Sequence, residues 1–195
     1  MNIDEMKLRL AEIILERSFQ YRDNPPFMLA SGKTSTYYFN CKTTTMDPEG
    51  MHLIGDILFE MLIDEDITAA GGLTLGADPM ANALSLISYQ KGRPIKSFVV
   101  RKDVKDHGTK KGIEGNIVPG ERVAILDDVI TTGGSTITAI EIVRDAGLKV
   151  DRVIALIDRE EGGRENIKKY IDRVDSVLTR SEIMNLYKGH QESKK

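Results

Sequence analysis

The sequence predicts an α/β fold, a parallel sheet flanked by helices, and three observations carry that expectation. Short apolar runs alternate with amphipathic segments of about 10–15 residues, the order that builds a parallel sheet with right-handed crossovers and helices on both faces. Val123 to Leu126 reads V-A-I-L without a polar break, as a strand buried on both faces must. The 195 residues contain no internal repeat and no linker long enough to separate a second domain, so residues 1–195 are expected to form one domain with a sizeable core.

Composition narrows the function. With 41% hydrophobic and 29% charged residues, the chain has the balance of an ordinary soluble globular protein. A net charge of −3 argues against a general nucleic-acid or membrane-surface binder. The lone Cys41 cannot form an internal disulfide and is expected to be a buried bystander in a reducing compartment. The acidic start, Met1 to Glu5, lacks the basic region of a secretory signal, and no apolar run approaches the ~20 residues of a membrane span. A cytoplasmic protein is the expectation.

Ile3 to Arg17 places Met6, Leu10, Ile13 and Ile14 on one helical face. Pro25-Pro26 ends any local helix. Phe27 to Asn40 is rich in β-formers interrupted by Ser31-Gly32 and reads as two short strands around a turn. Its aromatics Tyr37, Tyr38 and Phe39 put rings on both faces of a strand, either to pack a small subdomain or to cover a planar ligand. Met46 to Leu62 is a second helix, with Asp47 as N-cap, Pro48 in the first turn, and Met51, Ile54, Leu58 and Met61 on one face. His52 on it is read as a surface or core residue. Ile67 to Leu73 is a small apolar strand leading through Thr74-Leu75-Gly76 into a helix from Met80 to Gln90, a loop that is either a packed βα turn or a backbone surface close to a ligand. Ile95 to Val100 is a strand. Arg101 to Lys111 then carries five Lys or Arg against two Asp, a local +3 in an acidic chain, with the composition of either a solvated basic loop or a mobile cationic lid. Val150 to Asp158 and Val174 to Leu178 are further buried strands. Ser181 caps a short helix, and the polar, lysine-rich residues 187–195, His190 among them, are expected to fray.

The central stretch, Val123 to Thr136, continues from its apolar run into Asp127-Asp128, then Val129-Ile130, and then Thr131-Thr132-Gly133-Gly134-Ser135-Thr136 before a helix in which Ile137, Ile140 and Val143 share a face. Unpartnered N–H groups of such a turn and of the first helical residues attract an anion, typically a phosphate. Carboxylates at the strand's end suit ribose hydroxyls, which donate hydrogen bonds. The bland alternative is a βα connection with a glycine-rich turn. Neither a Walker A loop nor a G-x-G-x-x-G fingerprint is present; Gly71 to Gly76 is followed by Ala77 and Asp78 rather than Lys and Ser or Thr.

These residues resemble the phosphoribosyl diphosphate signature of the type I phosphoribosyltransferases. Two other segments narrow the resemblance to the orotate phosphoribosyltransferase family: S-G-x-x-S-x-Y followed by adjacent aromatics, and R-K-x-x-K-x-H-G in the basic loop, matched by Arg101, Lys102, Lys105 and His107. The resemblance implies a type I phosphoribosyltransferase sheet, a small amino-terminal hood over residues 18–45 and a lid over 101–115. It implies transfer of a phosphoribosyl group from phosphoribosyl diphosphate to orotate, giving orotidine 5'-monophosphate and diphosphate in pyrimidine (UMP) biosynthesis. The diphosphate substrate would be held by Arg101, Lys102, Lys105, His107, Asp127, Asp128, Val129, Ile130, Thr131, Thr132, Gly133, Gly134 and Ser135, with Lys105, His107, Asp127 and Asp128 as the catalytic set. Orotate would be held by Tyr38, Phe39, Thr131 and Arg159, the last in a D-R-x-x-G-G motif. Magnesium would ride on the substrate's oxygens, reaching Asp127 through water, and the lid would serve a neighbouring subunit's site in a homodimer. Two departures are visible: Ala30 and Leu75 stand where many or some relatives carry lysine. The rival readings are a phosphoribosyltransferase for another base, such as a purine, and a non-catalytic sensor of phosphoribosyl diphosphate.

Overall fold

A computed structural model describes residues 1–28, 34–102 and 112–192. Helix α1 (Ile3–Arg17) opens on a capping box in which the Asn2 side chain accepts from the Glu5 N–H while Glu5 accepts from the Asn2 N–H. It buries Met6, Leu10, Ile13 and Ile14, the expected face. Among the described residues of 18–45 there are four short strands where two are expected. β1 (Phe19–Tyr21) pairs antiparallel with β4 (Tyr37–Phe39), while β2 (Phe27–Met28) pairs with β3 (Thr34–Ser35). At two or three residues each, these strands are too short to show a period in sequence.

A single turn, α2 (Lys42–Thr45), precedes α3 (Pro48–Leu62), whose N-cap Asp47 accepts from the N–H groups of Glu49 and Gly50 as the Asp-Pro pair predicts. The buried face of α3 is centred on Leu53, Ile54, Ile57 and Leu58, leaving Met51 and Met61 at its edges. His52 is exposed, with Nε2 3.4 Å from Asp56. There follow β5 (Ala69–Leu73), α4 (Asp78–Gln90), β6 (Lys96–Val100), β7 (Ile113–Gly115), β8 (Arg122–Ile130), α5 (Gly134–Asp145), β9 (Lys149–Asp158), α6 (Gly163–Ile167), β10 (Val174–Thr179) and α7 (Arg180–Glu192).

Six strands form one sheet in the order β10-β9-β8-β5-β6-β7, all parallel except β7, which runs antiparallel to β6. Alternate residues of β8 feed two cores. Ala124 and Leu126 join the cluster under α1, α3, α4 and α7, whereas Val123 and Ile125 join the one under α5 and α6. The uninterrupted V-A-I-L run is explained by burial on both faces.

Two expectations are corrected. β8 does not end at Leu126 but runs on through both aspartates to Ile130, because β9 stays in register beside it, Asp127 opposite Ala155 and Ile130 opposite Asp158. The last helix is not short and does not stop at Leu186. α7 continues to Glu192 because Tyr187 packs its ring against Phe19 and Tyr21, with centroids 5.2 and 5.7 Å apart. Its cap is Thr179, which exchanges hydrogen bonds with Glu182, while the N–H and hydroxyl of Ser181 bond Glu160 instead.

Candidate active site

The chain leaves β5 toward β6 on one side, and β8 toward β9 on the other, so the strand order reverses between β5 and β8. Open α/β sheets take ligands at such a reversal, beyond the strands' carboxyl ends. β8 pairs with β5 only from Val123 to Ile125, and past that point the two strand ends frame a cavity of about 420 Å³. Its walls are Leu73 to Gly76 after β5, Asp127 to Val129 on β8, Gly134, Ser135 and Thr138 on α5, and two cations, Lys42 and Lys102. A larger cavity of about 540 Å³ lies elsewhere, against Ile117, Val118 and Ile142, with Asp145 as its one titratable lining group. Chemistry therefore favours the smaller one.

Successive residues of a strand face opposite ways, so Asp127 and Asp128 have different partners. Asp127 turns toward α5, where its Oδ2 accepts from Ser135 Oγ at 2.9 Å and Thr136 Oγ1 at 2.6 Å. Burial pushes its pKa up to about 6, and the neighbouring Asp128 adds to this against those hydroxyls. Asp128 faces the loop after β5. Its carboxylate lies 3.8 Å from Lys42 Nζ and fills the space that a Cβ on Gly76 would need. In the turn before α5, Gly133 is left-handed at φ 84° and has 2.9 Å between the position of a Cβ and Gly163 O, so a side chain there would be strained. α6 braces this turn, the Asn166 amide donating to Thr132 O at 3.1 Å. Ile130 is 2% exposed and offers the site only its backbone, whose carbonyl accepts from the Arg159 N–H.

Arg159, just past β9, is buried, and its guanidinium carbon sits 5.1 Å above the Tyr37 ring. Glu161 Oε1 lies 2.8 Å from Nη2, yet neither Nε nor Nη2 has a hydrogen bond of acceptable geometry. A buried guanidinium with open donors is a group arranged for a ligand.

Residues 62–186 match the family model described as the phosphoribosyl transferase domain. An orotate phosphoribosyltransferase of Aquifex aeolicus is 49% identical over 176 residues, 90% of this chain and 96% of that one. The chain belongs to the orotate phosphoribosyltransferase family. An orotate phosphoribosyltransferase of Mycobacterium tuberculosis, solved with 5-phospho-α-D-ribosyl 1-diphosphate, superposes with a TM-score of 0.75 at 36% identity, over 91% of this chain and 98% of that one. An adenine phosphoribosyltransferase of Leishmania donovani, 17% identical with a TM-score of 0.61 over 88% of this chain and 80% of that one, shares the fold.

Within this phosphoribosyltransferase, most of the expected residues converge on one crevice. Asp127, Asp128, Val129, Gly134, Ser135 and Lys102 line it, and Thr131 to Gly133 form the adjoining turn. Arg101 is not among the residues that line it; its guanidinium lies 3.6 Å from Glu114. Lys105 and His107 lie outside the described residues, as do Ala30 and the Ser31-Gly32 turn. The three aromatics Tyr37, Tyr38 and Phe39 have different surroundings. Pairing with β1 sets Phe39 opposite Phe19, so Phe39 turns into the core at 6% exposure. Tyr38 is on the other face, stacked on Phe27 at 5.7 Å. The ring that meets Arg159 is that of Tyr37. Lys42 and Thr138 were not expected at the site. Lys42 belongs to no motif, and only its place soon after the hood aromatics marks it. Cys41 is buried beside Asp128, and burial holds its thiol well above the usual range.

Among the described residues, no three His, Cys, Asp or Glu side chains are grouped to hold a metal by themselves. Two carboxylates on one crevice fit a hydrated hard cation that takes most of its ligands from a substrate and from water.

Proposed function

We infer that the chain transfers the 5-phosphoribosyl group from phosphoribosyl diphosphate to orotate, forming orotidine 5'-monophosphate and diphosphate, in pyrimidine biosynthesis. The observation that carries the choice of base is Arg159, whose buried, open donors suit a planar ligand bearing a carboxylate, gripped side-on. A purine has no such group. The Tyr37 ring at 5.1 Å gives that ligand an aromatic neighbour.

In this reading the C1–O bond to diphosphate breaks with oxocarbenium character, and the base nitrogen forms the new bond at C1 as it gives up its proton. Little nucleophilic work is asked of the protein. The turn from Thr131 to Ser135 anchors the 5-phosphate on main-chain N–H groups at the start of α5. Asp127 and Asp128 accept from the ribose hydroxyls and favour the positive charge that grows on the sugar. Backbone of Thr74 to Gly76, with Lys42 and Lys102, receives the diphosphate. Arg101, Lys105 and His107 supply further charge and a proton donor to the leaving group, and exclude the water that would otherwise hydrolyse the sugar. Asp127 would hold a magnesium ion through a water, the substrate's own oxygens supplying its other ligands, and the ion would offset diphosphate charge. The active unit is a homodimer in which the lid loop of one subunit serves the other's site, while Lys102 at its base lines its own subunit's crevice.

The test mixes purified protein with orotate, phosphoribosyl diphosphate and magnesium and follows orotate absorbance. Loss of orotate with stoichiometric diphosphate release is expected. No turnover with orotate alongside turnover of a purine base would overturn the assignment. Gel filtration with light scattering reads the dimer, and a monomer under assay conditions would remove the shared lid.

A further inference from the structure

We propose that Glu161 is the resident counter-ion of Arg159 in the empty site, a positioning residue that the substrate's carboxylate displaces toward Arg180 and that thereby sets the affinity for the base. The proposal rests on Arg159 being the carboxylate grip. The turn after β9 is built to deliver Glu161. Glu160 holds the left-handed conformation at φ 57°, which a residue with a side chain adopts only when its surroundings fix it. Those surroundings are visible: Asp158 Oδ1 accepts from the Glu160 N–H at 2.8 Å, and Glu160 Oε2 accepts from the Ser181 N–H at 2.9 Å and its hydroxyl at 2.5 Å. Pinned to the start of α7, the turn folds back, and Glu161 Oε1 reaches 2.8 Å from Arg159 Nη2.

This contact is a counter-charge without good hydrogen-bond geometry, since Nε and Nη2 remain open. Removing it would leave a buried guanidinium unpaired, which is costly. A coplanar substrate carboxylate can take Nε and Nη2 together, an arrangement that Glu161 does not reach. The displaced Glu161 has a second cation beside it. The Tyr37 hydroxyl donates to Glu161 Oε1 at 3.4 Å and accepts from Arg180 Nη1 at 3.3 Å, and the Tyr37 ring centroid lies 5.1 Å from the Arg159 guanidinium carbon and 6.0 Å from that of Arg180. One anion thus replaces another on Arg159, and the expelled anion meets Arg180, whose Nε also lies 3.4 Å from Glu160 Oε2.

The experiment is a double-mutant cycle on the full chain with Glu161→Gln and Arg180→Gln, reading the KM for orotate at saturating phosphoribosyl diphosphate and magnesium, with Arg159→Gln as reference. Glu161→Gln should lower the KM for orotate about tenfold, the size of one modest charge-assisted contact. Arg180→Gln should raise it, and that rise should vanish in the double variant, a pattern of opposite signs that general damage would not give. A KM unchanged or raised in Glu161→Gln, or an Arg180→Gln effect that persists in the double variant, would overturn the proposal. If Arg159→Gln loses orotate while Glu161→Gln does not tighten it, this proposal alone fails. If Arg159→Gln keeps the original KM, the grip and the counter-ion fall together.

Discussion

Replacing Asp127 by Asn should stabilise the folded protein above neutral pH while impairing turnover. Burial raises the Asp127 carboxyl from 3.8 to about 6. A carboxyl whose folded value is raised contributes stability that is present below the unfolded value and lost as pH rises through the folded one. The gap corresponds to about 3 kcal/mol at the cost of 1.36 kcal/mol per pH unit. Partial solvent contact screens some of it, so about 1–3 kcal/mol is expected. Asn keeps an acceptor oxygen for Ser135 and Thr136 and carries no charge to desolvate. Thermal melts at pH 8 should therefore place Asp127→Asn about 2–10 °C above the unmodified chain, and the gap should shrink steadily below pH 6 and close near pH 3.5. Turnover of orotate should fall in the same variant, because the charge that destabilises the empty site is the one that favours the sugar's developing cation. Equal melting temperatures at pH 8, or a gap independent of pH, would refute the account of Asp127 as a desolvated carboxylate.

Arg159→Lys should raise the KM for orotate at least tenfold, since an ammonium cannot make the paired side-on contact; an unchanged KM would remove Arg159 from base recognition. Lys42→Ala should weaken phosphoribosyl diphosphate binding about fivefold, a small effect because the side chain is 47% exposed, and calorimetry with that ligand reads it. Gly72→Ala would drive a methyl group into the Leu126 carbonyl oxygen and to 2.9 Å from the Ala77 Cβ. It should cost about 1–3 kcal/mol in urea unfolding, and undiminished stability would contradict that close approach. Tyr187→Ala should release the hood from α7, lowering stability by about 1 kcal/mol through two lost ring contacts; no change in melting temperature would show that the two do not support each other.

The sequence by itself determined the parts whose signals are local. An unbroken V-A-I-L run cannot serve a strand with a wet face. Asp47 before Pro48 marks a helix start, and Thr131 to Ser135 after a strand marks a glycine-bearing turn into a helix. Asp127 and Asp128 were legible as carboxylates that follow an apolar strand run, and Arg159 as a residue of the D-R-x-x-G-G motif that the family resemblance marks. The tertiary structure decided what depends on partners distant in sequence. The aromatic that faces Arg159 is set by the register of β4 on β1: Tyr37 shares a strand face with Phe39, and a shift of one residue would put Tyr38 there instead. β8 outlasts its apolar run because β9 stays beside it, and α7 outlasts its own because Tyr187 finds two rings 166 or more residues back along the chain. Lys42 reaches the crevice, and Glu161 reaches Arg159, only through contacts between separate elements. Local energies of about 1 kcal/mol select a turn or a cap, but register and side-chain aim are chosen when surfaces meet, and no short stretch of sequence contains both surfaces.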